Sequence, residues 1–365
     1  MTSAIARLHD FGQSPWYDNL ARSLLVDGGL AELIEHDKIS GVTSNPTIFE
    51  KAMAAGDGYD AGLARCAAEG LSTDASYWQL VTEDVGTAAD LLRPTYDHTH
   101  GADGFVSIEV SPDLARDTAG TIAQARELFD RLGRPNVMIK IPATLEGLDA
   151  ITATIAAGIN VNVTLIFSLD RHDRVIDAYL SGLEQLLDRG GDLATAASVA
   201  SFFVSRVDTE TDRRLPEGHH LRGQAAVANA KLAYRQFRNR FAGPRWERLA
   251  AAGARLQRPL WASTSTRNPL YSPTLYVNTL VGRDTVNTLA PASIDVLHAG
   301  DSHLRADAVE DDVTDAERTI DELAAAGVDF DDVTQTLETE GVAAFSASFH
   351  DALNTLEQRR AQVAS

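Results

Sequence analysis

The chain has 365 residues, 44% of them hydrophobic and 23% charged, ordinary globular values and enough length to bury a large core unaided. A formal net charge of −20 argues against a nucleic-acid partner, because phosphate neutralisation by Lys and Arg supplies most of such affinity. The one cysteine, Cys66, excludes an intrachain disulfide and suits a cytoplasmic protein, and neither a signal-length apolar N-terminus nor a run of about 18 apolar residues is present.

Strand-like and helix-like segments alternate along the chain. After an N-terminal helix, Pro15-Trp16-Tyr17-Asp18 reads as a first strand, residues 19–37 as a helix and Gly41-Val42-Thr43-Ser44-Asn45 as a second strand. Residues 46–95 form a mainly helical excursion with turn signals at Gly56-Asp57-Gly58. A third strand spans 104–110, and Ser111-Pro112-Asp113 predicts a capped helix start directly after it. The fourth strand, 137–144, is followed by a helix at 145–157, a fifth strand at 159–167 and a helix at 169–189. The sixth, 199–204, leads through a polar loop to a helix at 224–252, and 259–263 and 286–290 complete eight. Thr314-Asp315-Ala316-Glu317 fits a capping box, and 343–360 a terminal helix. Between Asp301 and Glu340 fourteen acidic residues face only Arg305 and Arg318, the pattern of a solvated helical face.

Eight β-then-α units predict a (β/α)8 TIM barrel of the α/β class. The barrel core spans about 14–300 of one domain covering 1–365, with extra N-terminal helices, an inserted helical part at about 52–95 and a C-terminal extension at 301–365. No G-x-G-x-x-G follows the first strand and no P-loop occurs, which removes dinucleotide and P-loop readings. In a barrel the chemistry lies on inward side chains at the carboxyl ends of the strands. Alternation puts Lys140 in the fourth strand on the face opposite Val137, Ile139 and Ile141. A strand lysine alone could snorkel or meet a carboxylate. Burial in an apolar wall would instead favour its neutral, nucleophilic amine. Alternation also turns Glu109, Asn162 and Thr164 inward, beside Asp18 and Asn45 at neighbouring strand ends. Burying that many polar groups for stability alone would be unfavourable.

Tyr17-Asp18-Asn19-Leu20, Thr43-Ser44-Asn45-Pro46, Val106-Ser107-Ile108-Glu109-Val110, Lys140-Ile141-Pro142-Ala143-Thr144, Asn162-Val163-Thr164, Ser201-Phe202-Phe203-Val204-Ser205-Arg206 and Ser263-Thr264-Ser265-Thr266-Arg267 together resemble the transaldolases, closest to the longer bacterial type. The chain departs from many members at Phe202, where they carry proline, and at Ser205, where they carry glycine. The resemblance implies a transferase of the pentose phosphate pathway in which Lys140 forms a Schiff base with a ketose phosphate. Asp18 would be the base at the C4 hydroxyl, and Glu109 with Thr164 would hold a catalytic water. Asn45, Asn162 and Ser201 would fix the dihydroxyacetone unit, and Arg206, Arg267 and Ser265 the distal phosphate. Phe203, with no hydroxyl to order water, would leave the enamine long-lived.

No metal or organic cofactor is implied. The expected partners are small sugar phosphates, with no nucleic acid and no membrane, and a homo-oligomer is allowed. A fructose 6-phosphate aldolase of the same superfamily is the alternative, and a non-catalytic sugar-phosphate-binding barrel a further one. His98 and His100, near Asp97 and Asp103, read as a loop at the barrel's bottom, and His219-His220 as a solvated loop.

Overall fold

A computed structural model describes residues 3–56, 58–300 and 302–363, side chains to 362. Eight parallel strands close into a barrel in chain order: β1 (Gln13–Tyr17), β2 (Gly41–Thr43), β3 (Phe105–Glu109), β4 (Val137–Pro142), β5 (Val161–Ile166), β6 (Ser198–Phe203), β7 (Gln257–Ala262) and β8 (Thr285–Leu289). Helices join them on the outside, so the predicted (β/α)8 architecture holds, with every strand limit within two residues of expectation. The strands are legible because they are buried on both faces, which leaves near-continuous apolar runs between turn residues.

The register sets the faces. Glu109 pairs with Lys140, and Lys140 with Asn162, so the three residues lie in one inward row. Val106, Ile108, Ile139 and Ile141 turn outward into the helical layer and are fully buried there. The register between β5 and β6 shifts between Val163 and Ile166, where Leu165 takes a left-handed φ of 59°. This irregularity turns Leu165 towards the C-terminal helix, where a side chain at Gly341 would meet it at 3.0 Å.

The barrel floor is packed around a buried polar cluster. Trp16 is wholly buried, and its Nε1 donates to Asp103 Oδ1 at 2.7 Å. Asp103 also accepts from Ser14 and Ser40 and faces Arg258 at 3.6 Å, so its oxygens are committed to closing the floor. His98 ends the helix Thr73–His98 instead of lying in a loop.

Several helix expectations are corrected. The helix predicted at 19–37 is two pieces, Arg22–Val26 and Gly29–His36, broken where Gly28 adopts φ 80°. Ser111 caps nothing. Pro112–Leu114 is a single 3-10 turn, and the helix Thr118–Leu132 starts later, where Asp117 accepts from Gly120 N at 3.0 Å. The polar loop expected after β6 contains the helix Ser205–Arg214. The helix predicted at 224–252 is Ala225–Arg240 and Pro244–Ala251, parted at Gly243. Thr314 lies inside the helix Val313–Ala325, whose start has no side-chain cap, so the capping box is not realised. Asp57 of the predicted turn and Asp301 of the acidic segment fall outside the described residues.

The terminal helix is longer than expected, Phe330–Val363, and the acidic segment does more than meet solvent. Glu338 pairs with Arg171 at 3.2 Å, Asp332 with Arg214 at 2.6 Å and Glu317 with Arg235 at 2.7 Å. Further along, Ser348 bonds Thr47 at 2.8 Å, and Arg359 donates to Met53 O at 2.7 Å. Exposed ion pairs contribute little each, but the largely buried Arg171–Glu338 pair fixes where the helix crosses the barrel.

A Cβ at Gly41 would sit 2.4 Å from the Trp16 ring. Gly41→Ala should therefore lower unfolding stability by about 2–3 kcal/mol in a urea titration through overpacking; unchanged stability would mean that Trp16 does not fill the barrel as described.

Candidate active site

Lys140 is only 5% exposed. Its Nζ donates to the carbonyl of Ser44 at 3.2 Å and lies 3.3 Å from Glu109 Oε2, across the β3–β4 register. Glu109 Oε2 meets the ammonium as an ion-pair partner and has no hydrogen-bond partner among the described residues. Burial raises the Glu109 carboxyl above the ordinary glutamate value; the Lys140 ammonium opposes this, and Asp18 adds to it. A buried lysine with one carboxylate and one carbonyl partner keeps its amine aimed at a single place.

That place is a cavity of about 410 Å³ at the carboxyl ends of the strands. Lys140, Asp18, Asn45, Thr164, Ser201, Phe203, Arg206, Ser265 and Arg267 all line it, so the structure gathers nine of the eleven predicted site residues on one surface. Asp18 follows β1 and accepts from Thr43 Oγ1 at 2.7 Å, which fixes one carboxylate oxygen. Asn45 caps the helix Pro46–Ala55, with Oδ1 accepting from Ile48 N at 3.0 Å. Its amide nitrogen is then the group left for a ligand. Thr164 Oγ1 is buried without a hydrogen-bond partner among the described residues.

Two predicted residues stand behind the cavity wall. Asn162 is fully buried, accepts from Ser201 Oγ at 2.7 Å and donates to Ser107 Oγ at 3.0 Å. It therefore orients Ser201 and does not itself face the cavity. Glu109 instead borders a small void of about 10 Å³, shared with Tyr77 and Phe349, about the room that one water needs.

Arg206 occupies the first turn of the helix Ser205–Arg214, its guanidinium 5.3 Å from the Phe203 ring centre. Burial lowers its pKa, and the charge of Arg267 lowers it further. Its Nε has no partner among the described residues. An under-bonded, half-desolvated guanidinium beside a second arginine is a ready anion receptor.

The family model for transaldolase/fructose-6-phosphate aldolase matches residues 15–356. The chain belongs to the transaldolase/fructose-6-phosphate aldolase family. It is 50% identical to a transaldolase of Thermobifida fusca over 366 residues, 99% of either chain. It is 48% identical to transaldolase 2 of Streptomyces coelicolor, covering 98% of this chain and 97% of that one, and 50% identical to a transaldolase of Acidothermus cellulolyticus, covering 96% and 95%.

Both departures from the transaldolase pattern have a local role. Phe202 points outward, edge-on to Trp261 at 6.3 Å, and Ser205 bonds Ser263, Oγ to Oγ at 2.9 Å. Sequence reasoning missed four groups of this transaldolase-type site. Thr43 and the Ser44 carbonyl were within reach of it, being at the end of a predicted strand. Lys51 and Phe345 were not, since they arrive from helices whose facing the strand alternation does not fix. Phe345 belongs to the terminal helix, and its ring centre is 5.8 Å from Lys140 Nζ. A buried ring face at that range attracts the ammonium, typically by about 1–2 kcal/mol.

Phe345→Ala should open the cavity roof to water. We expect a several-fold loss of turnover with a smaller change in thermal midpoint; full activity in steady-state assays would show that the ring is only packing.

Proposed function

We propose that the chain is a transaldolase. It moves a dihydroxyacetone unit from sedoheptulose 7-phosphate or fructose 6-phosphate to glyceraldehyde 3-phosphate or erythrose 4-phosphate, within the pentose phosphate pathway of the cytoplasm. The observation that carries this reading is the Lys140 amine, buried in β4 beside Glu109 and opening onto a cavity shared with Asp18 and two arginines.

In this reading the Lys140 amine attacks the C2 carbonyl of the ketose. Glu109, whose carboxyl is raised by burial, delivers a proton through a water as the carbinolamine hydroxyl leaves, giving a protonated imine. Asp18 takes the C4 hydroxyl proton, the C3–C4 bond breaks, and its electrons flow into the imine to leave an enamine. The aldose departs and an acceptor aldehyde takes its place. The enamine carbon adds to the aldehyde, Asp18 returns the proton to the new hydroxyl, and water releases the product ketose. Ser201, oriented by Asn162, and the Asn45 amide hold the hydroxyls of the three-carbon unit. Arg206 and Arg267, helped by Ser265, hold the distal phosphate; Ser265 lines the same cavity and bonds Ser293 at 2.8 Å.

The competing reading is an aldolase that releases dihydroxyacetone. Phe203 favours transfer, because its ring faces the cavity, packs on Phe167 at 5.1 Å and offers no hydroxyl to order water near the enamine. Fructose 6-phosphate with erythrose 4-phosphate should give sedoheptulose 7-phosphate and glyceraldehyde 3-phosphate, with little dihydroxyacetone when no acceptor is added. Phe203→Tyr should increase that release. Multiple-turnover dihydroxyacetone production by the unaltered protein, at rates matching transfer, would move the assignment to the aldolase.

A further inference from the structure

A second cavity, of about 340 Å³, lies on the far side of Arg267 and takes no part in the chemistry above. Arg267 lines both cavities. The wall of the second is formed by the helix Ser205–Arg214 and by the segment after β7. Two buried carboxylates of that helix, Asp208 and Asp212, make matching bonds across the wall. Asp208 accepts from Ala226 N at 2.8 Å on one oxygen and from the Tyr276 hydroxyl at 2.8 Å on the other. Asp212 accepts from Gly223 N at 2.9 Å and from the Tyr271 hydroxyl at 2.5 Å. The Tyr271 ring also rests on Gly223, where a Cβ would lie 2.7 Å from it and where φ is 75°.

These bonds join the helix that carries Arg206, the start of the helix Ala225–Arg240 and the segment that carries Arg267. The near end of that segment is held separately: Ser205 bonds Ser263 through side chain and backbone, and Ser263 has a left-handed φ of 58°. Neither carboxylate has an arginine or lysine ion-pair partner among the described residues. Burial pushes the Asp208 carboxyl up to about 6. Unpaired buried acids are a poor means of stabilising a fold, since apolar residues of the same size would serve better. What they supply is a fixed distance between two elements.

We infer that Asp212 and Asp208, acting through Tyr271 and Tyr276, are positioning residues for the phosphate of the substrate. They hold the exposed Arg267 segment against the Arg206 helix, so that two like-charged guanidinium groups face one cavity before any ligand arrives. Arg267 lies four residues before Tyr271, and without the tether its segment would relieve the repulsion by moving outward. A receptor assembled in advance binds more tightly because less freedom is lost on binding. The inference rests on the proposed reading of both arginines as phosphate ligands.

The test uses the full-length protein, fructose 6-phosphate as donor and inorganic phosphate as competing anion. Tyr271→Phe keeps the ring on Gly223 and removes only the hydroxyl, and Asp212→Asn keeps the volume of the acid. Each should raise the KM for fructose 6-phosphate and the inhibition constant of phosphate about 5- to 10-fold with kcat nearly constant, the signature of lost preorganisation in the free enzyme. In an Arg267→Ala background Tyr271→Phe should add nothing further, because residues acting through one another are not additive. Unchanged constants in both single variants, or an equal effect with and without Arg267, would overturn the inference and leave the tyrosines as packing. If Arg267→Ala itself left phosphate inhibition unchanged, the phosphate reading would fall and the inference with it.

Discussion

The contact between the Lys140 ammonium and the Glu109 carboxylate is set by the backbone hydrogen bonds of β3 and β4. In-register pairing puts the two side chains abreast on the inner face, and Phe345 over Lys140 with Tyr77 and Phe349 beside Glu109 leaves both nearly dry. Neither charge is well solvated, and removing either would strand the other, which is expensive in a protein interior. The rest of the site can be read as accommodating this pair. The Ser44 carbonyl accepts a hydrogen bond from the ammonium, the Phe345 ring covers it, and the polar wall from Asp18 to Ser201 faces it across the cavity.

The arginines form a second, opposite arrangement. Where the lysine has a carboxylate beside it, Arg206 has an aromatic ring and another cation, with Asp18 and Glu340 acting on it only through their charge and no ion pair to it among the described residues. In the proposed reading the cavity is thus divided into a nucleophilic end at Lys140 and an anion-receiving end at the two arginines. In the proposed reading an anionic substrate enters a chain of net charge −20 at these two arginines. Three of the acids, Glu317, Asp332 and Glu338, pair the last two helices to arginines of the helical layer.

The fold and most of the site were legible from the sequence because both depend on alternation within strands. Two-sided burial marks the eight strands, and parity alone turns Lys140, Glu109, Asn162 and Thr164 inward. It could not separate residues facing the cavity from those one layer behind, which is why Asn162 and Glu109 were expected to line it. Helix starts were less legible. Ser111-Pro112 has the composition of a cap, yet its backbone N–H is taken by Gln124 Oε1 at 2.6 Å and the real cap is Asp117. Residues from distant helices were invisible: nothing near Phe345 in the chain says that its ring ends over Lys140, because only packing of the terminal helix brings it there.

The most direct test is where the covalent intermediate forms. Two lysines line the cavity, Lys140 and Lys51, but only Lys140 is buried beside a carboxylate. The protein would be incubated with fructose 6-phosphate, reduced with borohydride and mapped by peptide mass spectrometry. The account predicts a reduced three-carbon or six-carbon adduct on the peptide containing Lys140 and none on that containing Lys51. An adduct on Lys51, or no adduct at all, would contradict it.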